Sequence, residues 1–517
     1  MTPKKSGKLA AVLLALGVTA VVVADSAWKT VSQHRSPYHS SANLPGGEPL
    51  TRRAVLIVLD GVRVDAARDM RSLQELERRG FGGTLTTILP SLSRPARATL
   101  VTGARPEVHG VMTNGAHQPP PIPSLFSAAR ATGVHTAVAG DSSWARAFPD
   151  QIDAVQEFDK ELHASPTRDA GPILEWQKQV CDAMVPFLQQ QSSGLLVAGV
   201  TAPDAAGHDF GGRSELYAEV VQAADACVSR IIGALDDGET TFLITSDHGH
   251  IDHRGQGGHG GTEPEVTTVP FVLAGKGVHS GGQPLDAVQA SQLDVAPTLA
   301  ALLGLPLPAL AEGRPLELLL DLTDQQNAEL RARSDQQQAL MRQLLPDPGS
   351  TAASERIGRL TVSSTIAMAL LGMAGLALFR IDAPWMRRLL AVLTFLLVYA
   401  ALFWALGLQY SLSAVVREEY LNSFFLRNAA AAAVAFVAAA LWTPRSPLWL
   451  GLLLQGLLGL RVARTYYRFG LFLETYLPNL DASFRSYLDL LAMAAIGAAA
   501  CLFALTLRLR AGRTRVS

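Results

Sequence analysis

Three short segments of this 517-residue chain place aspartate and histidine side chains at spacings suited to binding metal ions. They are PDAAGH at 203–208, TSDHGH at 245–250 and GQGGHGGTE at 255–263, and one more aspartate follows the apolar run at 54–59. The predicted ligands are Asp60, Asp204, His208, Asp247, His248 and His259. Mixed carboxylate and imidazole ligands suit zinc, with manganese and iron as alternatives, better than calcium or magnesium. Six ligands exceed the needs of one four-coordinate metal and therefore predict two divalent ions about 4 Å apart.

A candidate nucleophile lies in the segment PSLSRPARATLVTG at 90–103. Ser93 stands just ahead of an apolar helix, and a helix N-terminus binds anions through its backbone N–H groups. Coordination to a metal would lower the pKa of the hydroxyl and make it nucleophilic near neutral pH. Taken alone, Ser93 is equally typical of a helix N-cap. Its interpretation as a nucleophile therefore depends on the predicted metal ligands.

Further histidines differ in their neighbours. His250 and His253, together with Asp252, lie close to the predicted ligands, and either support them or substitute for His259. Five histidines have no such partners in the sequence, so we predict structural roles for them. They are His109, His117, His135, His163 and His279.

The elements that must position these residues alternate between strands and helices. Apolar runs at 54–59, 134–139, 195–200, 241–245 and 269–274 predict strands, and amphipathic segments at 69–79, 214–235 and 291–303 predict helices. This alternation predicts a doubly wound α/β sheet. In such sheets ligands bind beyond the C-terminal ends of the strands. Asp60, Asp204 and Asp247 each follow a different predicted strand, so we expect them at one edge.

Membrane spans are predicted at both ends of the chain, in which 48% of the residues are hydrophobic. The uncharged run at 9–24, preceded by Lys4, Lys5 and Lys8, predicts a signal anchor rather than a cleaved signal peptide. Five more runs, at 360–379, 389–408, 428–443, 447–463 and 487–507, bring the prediction to six spans. The predicted domains are an anchor at 1–30, a catalytic domain at 50–320, a helical linker at 321–358 and a membrane domain at 359–510.

The basic residues predict the orientation of these spans. With the N-terminal lysines in the cytoplasm, every later short arginine cluster also falls on the cytoplasmic side. Both termini are then cytoplasmic and the catalytic domain is extracytoplasmic. Among the predicted spans only Arg461 and Asp489 are notable ionisable residues, and both lie near span ends, so we predict an anchor rather than a transporter. The net charge of −1 gives no reason to expect nucleic-acid binding.

The motifs resemble the alkaline phosphatase superfamily over residues 53–310. LIVLDGVRVD, SRPARATLVTG, RPEVHGVMTN, PDAAGH, SDHGH and GGHGGTE occur in the order typical of that superfamily. Two of its branches are most similar. The type I phosphodiesterase/nucleotide pyrophosphatase branch is matched around Asn114. The GPI ethanolamine phosphate transferase branch shares the Ser-Arg-Pro of residues 93–95. It also shares an N-terminal anchor, an outward catalytic domain and C-terminal spans.

The resemblance implies two metal sites and a covalent intermediate. One metal would be held by Asp60, Ser93, Asp247 and His248, and the other by Asp204, His208 and His259. Ser93 would attack phosphorus to form a phospho-enzyme, while Asn114 helps to hold a non-bridging oxygen. The first branch usually has threonine and phenylalanine where this chain has Ser93 and Arg94, so its aromatic substrate platform does not carry over.

The function expected from these features is a membrane-bound phosphodiesterase or phosphotransferase acting on a phosphate diester. Attachment to the membrane favours a lipid or envelope-glycan substrate, and a soluble nucleotide-like diester is the alternative. One alternative is a sulfatase, because residues 93–98 fit the pattern in which Cys or Ser becomes formylglycine. Sulfatases typically have paired aspartates after the first strand, whereas Asp60 is followed by Gly61. A catalytically inactive binding protein is the second alternative.

Cys181 and Cys227 are candidates for a disulfide that their spacing does not require.

Overall fold

The computed structural model of the chain describes residues 3–40, 44–116, 118–158, 169–281, 290–345, 348–415, 420–469 and 480–513. It divides into two compact units. The first combines residues 1–31, which contain most of helix α1 (Pro3–Ser32), with residues 347–517. The second comprises residues 32–346 and contains all of the motifs considered above.

The second unit is built on one mixed sheet of seven strands. The strands are β1 (Arg53–Leu59), β2 (Phe81–Thr86), β3 (Thr136–Gly140), β4 (Ala154–Glu157), β5 (Gly194–Val200), β6 (Thr240–Ser246) and β7 (Thr268–Gly275). Their order across the sheet is β2-β7-β6-β1-β5-β3-β4. The five strands from β6 to β4 are parallel, whereas β7 and β2 pair with antiparallel neighbours.

Twelve helices accompany these strands in the described part of the second unit. They are α2 (Val64–Ala67), α3 (Arg71–Glu77), α4 (Ser93–Thr102), α5 (Pro106–His109), α6 (Leu125–Thr132), α7 (Ser143–Ala147), α8 (Gly171–Gln189), α9 (Ala202–Phe210), α10 (Glu215–Leu235), α11 (Pro264–Thr267), α12 (Val295–Leu302) and α13 (Asp324–Leu344).

The sheet is covered on both faces, as its sequence requires. Every residue of β1 is buried, and alternate residues enter different cores. Leu56 packs with the core that contains residues of α4, α6 and α12, while Ile57 packs with the core formed by α3, α8, α9 and α10. A continuous apolar run such as this is typical of a strand buried on both faces. The predicted α/β class with helices on both sides of the sheet is therefore confirmed.

Some elements differ from the sequence-based prediction. Strands β2 and β4 were not predicted: β2 contains two glycines in FGGTLT, and β4 has only four residues whose exposure alternates. The helix expected at 69–79 is limited to α3. The helix expected from Ser291 begins with a 3₁₀ turn at Gln292–Asp294, and Ser291 caps that turn by accepting a hydrogen bond from the Leu293 N–H.

Six long helices form the described part of the first unit. Besides α1 they are α14 (Pro348–Arg380), α15 (Trp385–Ala405), α16 (Leu421–Ala440), α17 (Pro447–Phe469) and α18 (Leu480–Arg513). Five segments are long and apolar enough to cross a membrane: Ser6–Ser32, Ile357–Arg380, Trp385–Ala405, Leu421–Ala440 and Leu480–Arg510. These five helices indicate a multi-pass membrane protein. The remaining predicted span, at 447–463, lies within α17, which is not among these five segments.

Polar side chains inside the first unit connect its helices. The Arg461 Nε lies 3.5 Å from Asp489 Oδ2, and the Tyr410 hydroxyl donates to Asp489 Oδ1 at 2.8 Å. The Tyr399 hydroxyl donates to the Asn428 amide oxygen at 2.7 Å. Gln455 is buried and donates to the carbonyl of Met493 at 2.9 Å. Arg461 and Asp489 thus contact each other within the bundle, a pairing that their positions near predicted span ends did not suggest.

A disulfide joins α8 to α10 in the second unit. Cys181 and Cys227 are bridged, with their Cα atoms 5.7 Å apart and a sequence separation of 46. Both cysteines are buried against the core that contains Ile57. The pairing that the sequence left open is therefore present.

We expect Cys181→Ser to destabilise the second unit by about 3–4 kcal/mol, because the bridge restricts the unfolded chain. The measurement is denaturant unfolding of the full-length protein in detergent, followed by tryptophan fluorescence. Cys501→Ser is the matched control, since Cys501 is a free cysteine in the first unit and should leave this transition unchanged. Equal transitions for the wild type and Cys181→Ser would contradict the prediction.

Candidate metal centre and nucleophile

Neighbouring strands deliver the predicted ligands to one edge of the sheet. Asp60 directly follows β1, and Asp247 and His248 directly follow β6, which pairs with β1. The strand on the other side of β1 is β5, and it leads into α9, which carries Asp204 and His208. Residues four apart lie on one face of a helix. This connection therefore aims both side chains of α9 at the strand ends.

Six of the predicted ligands form two adjacent groups. In each group one ligand atom from every member lies within 4.8 Å of the others: Asp204 with His208 and His259, and Asp60 with Asp247 and His248. In the first group Asp204 Oδ1 is 3.4 Å from His208 Nε2 and 3.6 Å from His259 Nε2. In the second, His248 Nε2 is 3.6 Å from Asp60 Oδ1. The grouping coincides with the two metal sites that the resemblance implies.

The two groups meet where the rings of His248 and His259 stack, with centroids 3.6 Å apart. Both rings are oriented by backbone carbonyls: His259 Nδ1 lies 2.9 Å from the Ser91 oxygen, and His248 Nδ1 lies 3.2 Å from the Gly249 oxygen. A carbonyl at Nδ1 favours the tautomer that leaves Nε2 with a free lone pair. Both Nε2 atoms therefore point into the cluster as acceptors.

Ser93 is the first residue of α4, and its hydroxyl joins the second group. Ser93 Oγ is 3.1 Å from His248 Nε2. The N-cap is Leu92, and no side chain caps this helix, so the simple capping interpretation of Ser93 does not apply. The Asn114 Oδ1 accepts a hydrogen bond from the Arg94 N–H at 3.0 Å. Asn114 is thereby fixed beside the nucleophile with its amide N–H₂ still able to donate.

Arg97 is a further charged residue of the cluster that the sequence analysis did not identify. It is buried and pairs with Asp60 and Asp141, and its Nε lies 3.4 Å from Asp247 Oδ2. Arg97 follows Ser93 by four residues on α4, so the helical spacing was a signal that both face the same site. Asp141 directly follows β3, so its position after a predicted strand was the signal that could have identified it.

Several buried atoms support the presence of cations here. Asp60 Oδ1 and Asp247 Oδ2 are buried and have no hydrogen-bond partner among the described residues. Burial raises the pKa of Asp60 well above its ordinary value, and the neighbouring Asp247 carboxylate raises it further. Burial also lowers the pKa of His259 to about 4 and holds the pKa of His248 well below its usual value. Neutral imidazoles and crowded carboxylates are the chemistry that divalent cations need.

His250 also enters the cluster, and glycines make room for it. Its Nε2 lies 3.0 Å from Asp204 Oδ1, and Asp204, His248 and His250 form a third candidate group. A Cβ atom at residue 207 would lie 2.4 Å from the His250 ring, and one at residue 61 would lie 2.7 Å from it. His250 is thus buried against Gly61 and Gly207, and its ring contacts Asp204 from this position.

The other histidines lie apart from the cluster. Asp252 accepts a hydrogen bond from the Arg213 N–H, and the backbone of His253 pairs with that of Gln256 in an isolated β-bridge. Neither belongs to a candidate ligand group among the described residues. His109 is buried against Thr99, His135 lies beside Gln191, and His279 lies beside Asp321, in agreement with structural roles. His117 and His163 lie outside the described residues.

A cavity of about 120 Å³ is lined in part by Arg94, Arg97 and Ala98 of α4, the helix that begins at Ser93. Arg146 and Gln118 contribute further polar groups to its lining, and Trp144 and Phe148 contribute aromatic walls. Arg97 is shared between this lining and the charged cluster. The cavity thus offers positive charge and ring surfaces along the helix that carries Ser93.

Comparison with known proteins agrees with this geometry. Residues 54–121 match the family described as type I phosphodiesterase/nucleotide pyrophosphatase, and residues 167–307 match the metalloenzyme superfamily. The predicted resemblance to the alkaline phosphatase superfamily is confirmed. Every predicted site residue falls within one of these two ranges. The first range holds Asp60, Ser93 and Asn114, and the second holds the other five.

Curated relatives include GPI ethanolamine phosphate transferase 1. The protein from Emericella nidulans is 27% identical over 355 residues, and the human protein is 25% identical over 316 residues. These alignments cover 57% and 50% of this chain, but only 37% and 32% of the relatives, so the chain spans about a third of their length. A 2,3-bisphosphoglycerate-independent phosphoglycerate mutase from Pseudomonas paraeruginosa is 34% identical over 146 residues, covering 27% of this chain and 26% of the mutase. These relatives are phosphoester-handling enzymes.

Solved structures with partial similarity include a 2-O GAG sulfatase and the alkaline phosphatase PafA. The sulfatase has a TM-score of 0.44 at 18% identity, covering 52% of this chain and 73% of its own. PafA has a TM-score of 0.42 at 12% identity, covering 53% of this chain and all of its own.

We expect Gly207→Ala to displace the His250 ring, reduce the metal content, and destabilise the protein by about 1–3 kcal/mol through overpacking. Metal content by elemental analysis and stability by denaturant unfolding are measured on the full-length protein. Gly233→Ala is the control, because Gly233 lies in a helix with open space around it and should gain up to about 1 kcal/mol. Wild-type metal content and stability in Gly207→Ala would contradict the role assigned to this glycine.

Proposed function

We propose that this protein is a membrane-bound phosphodiesterase or phosphotransferase that acts through Ser93 with two divalent metal ions, most simply zinc. The observation that carries the proposal is the position of Ser93 Oγ, which lies 3.1 Å from His248 Nε2 at the junction of two metal-ligand groups. A hydroxyl at a helix N-terminus beside such groups is suited to attack on a phosphate. The resemblance to GPI ethanolamine phosphate transferases supports the same reaction class.

The side chains of the cluster have distinct roles in the proposed reaction. Asp60, Ser93, Asp247 and His248 would hold one ion, and Asp204, His208 and His259 the other. When bound, the ions lower the pKa of the Ser93 hydroxyl and neutralise charge on the phosphate oxygens. Ser93 Oγ attacks phosphorus, forming a phospho-serine and releasing the first alcohol. Water then completes hydrolysis, or a second alcohol completes transfer.

Asn114 and Arg97 act on either side of the nucleophile. The Asn114 Oδ1 accepts from the Arg94 N–H, which turns the amide N–H₂ toward the phosphate, where it donates to a non-bridging oxygen. Arg97 donates to Asp60 and Asp141 from one end of the cluster. It therefore fixes the Asp60 carboxylate and keeps the opposite carboxylate oxygen directed at the metal position.

The substrate class follows from the cavity and the membrane helices. Arg94 and Arg146 give the cavity along α4 positive charge, which favours an anionic ester over a neutral one. Membrane attachment favours a phosphodiester carried by a lipid or an envelope glycan over a freely diffusing one. We further propose that residues 50–320 form the catalytic domain. Helix α13 then belongs to the linker that precedes the membrane domain in sequence.

The proposed location is the cell membrane, with the catalytic domain extracytoplasmic and both termini cytoplasmic. The arginine clusters support this orientation through the positive-inside rule. The Cys181–Cys227 disulfide supports it independently, because disulfides persist in oxidising compartments outside the cytoplasm.

We expect Ser93→Ala to lower the hydrolysis of bis-p-nitrophenyl phosphate by at least about a thousandfold, because it removes the nucleophile. The full-length protein in detergent is assayed with its metal content measured in parallel, and about two zinc ions per chain are expected. Ser127→Ala is the control, since the Ser127 hydroxyl accepts a hydrogen bond from the N–H of Ser124, the N-cap of α6, and has no part in the metal-ligand groups. p-Nitrophenyl phosphate and p-nitrophenyl sulfate are compared as substrates. Bound calcium with turnover of the sulfate ester would replace this proposal with a sulfatase.

Orientation can be tested by cysteine labelling in intact cells. In a Cys501→Ser background, we expect a membrane-impermeant maleimide to label Arg130→Cys but not Arg380→Cys, because these exposed positions lie on opposite sides of the membrane in the proposed topology. After permeabilisation both positions should react. Labelling of Arg380→Cys alone in intact cells would reverse the proposed orientation.

A further inference from the structure

The first unit contains a cavity that has no part in the proposed reaction. Arg461 and Asp489, whose contact is described above, do not line it. Its volume is about 210 Å³. Three segments line it: Ser6 at the start of α1, the connection between α16 and α17, and residues 504–508 of α18. All three belong to the same compact unit. A phosphate group is small enough to enter a space of this volume.

The polar lining of this cavity is positive. Arg445 and Arg508 both line it, and neither forms a hydrogen bond or an ion pair with a described residue. Around this end of the helices, in segments 380–388, 444–449 and 504–510, there are six arginines and a single acidic residue, Asp382. No carboxylate in these segments lines the cavity to neutralise the two guanidinium groups. The cavity therefore favours an anion.

The backbone around Arg445 is held in place and adds further donors. Ser446 is buried, and its Oγ accepts a hydrogen bond from the Asp382 N–H at 2.9 Å, which leaves the hydroxyl hydrogen free to donate. Leu448 lies in the first turn of α17, a helix of 23 residues. The first N–H groups of a helix have no partner within it and attract negative charge. The buried Ser446, the first turn of α17 and two arginines thus belong to the lining of one cavity.

The remaining lining is apolar and continues along the helix surface. Trp449 and Leu507 form walls of the cavity. Beyond it, Leu502, Leu505 and Leu509 on α18 are 63%, 52% and 61% exposed. A soluble anion gains nothing from such surfaces, whereas acyl chains pack against them. Tryptophan is also the residue that favours the boundary between headgroups and hydrocarbon.

We propose that this cavity binds the phosphate of an anionic glycerophospholipid, with Arg445 and Arg508 contacting the phosphate and the acyl chains lying along α18. Basic pockets between membrane helices bind lipid headgroups in this way. In the proposed topology the site faces the cytoplasmic leaflet, on the side opposite the catalytic domain. It is therefore a structural lipid site, separate from the substrate site beside Ser93.

The test is native mass spectrometry of delipidated full-length protein titrated with phosphatidylglycerol. We expect the double variant Arg445→Gln/Arg508→Gln to lower lipid affinity roughly tenfold or more, the effect of losing two basic contacts. The control is Arg380→Gln/Arg387→Gln, which removes two arginines from the same end but outside the cavity lining. The control should bind as the wild type does. Equal losses in both double variants would overturn the proposal in favour of general surface charge.

Two further binding measurements test whether the ligand is a lipid phosphate. Diacylglycerol, which lacks the phosphate, should not bind, and excess inorganic phosphate should not displace phosphatidylglycerol. Binding of diacylglycerol as strong as that of phosphatidylglycerol, or displacement by phosphate alone, would overturn the lipid-phosphate assignment. Arg445→Lys/Arg508→Lys should retain most of the binding, which separates loss of charge from misfolding. Hydrolysis of bis-p-nitrophenyl phosphate should be unchanged in all variants, so this result is independent of the proposed function.

Discussion

The interaction on which the second unit depends is the balance of charge around Arg97. Four carboxylates, those of Asp60, Asp141, Asp204 and Asp247, lie close together at one edge of the sheet, and one guanidinium is buried among them. Buried like charges destabilise a protein strongly unless cations compensate them. Arg97 compensates at one end, and neutral imidazoles occupy the other. The point where the ligand atoms converge is therefore suited to additional positive charge, in agreement with the proposed metal ions.

The sheet explains how residues distant in sequence reach this point. The ends of β1, β5 and β6 lie side by side because these strands are parallel neighbours. The Gln292 side chain donates to the backbone oxygens of Ser246 and Asp247 and fixes the end of β6. The Tyr217 hydroxyl donates to the Gly61 oxygen and braces the turn after β1. The rigid strands thus set the position of the carboxylates, while a glycine-rich loop supplies His259.

Much of this site was predictable from the sequence, because its ligands follow apolar runs that form central strands. What the sequence left open depends on tertiary space. His250 follows His248 by two residues, and only the absence of side chains at Gly61 and Gly207 lets its ring reach Asp204. Arg97 was missed because its partners come from three separate segments. Strand β2 was missed because two glycines interrupt its apolar pattern, and its pairing with β7 supplies what its propensity lacks.

The polar contacts of α17 have a consequence for how the membrane region is assembled. Gln455 bonds to the backbone of α18, and Arg461 lies against Asp489 of the same helix. Each side chain also has one partner that precedes α17 in the chain: Gln455 donates to the Leu13 carbonyl at 3.4 Å, and the Arg461 guanidinium lies over the Tyr410 ring. Helix α17 can therefore make part of its polar contacts with segments synthesised before it, and it completes them only when α18 supplies Met493 and Asp489. The order of synthesis thus allows α17 to pack in two stages, with α18 closing the polar contacts of the bundle.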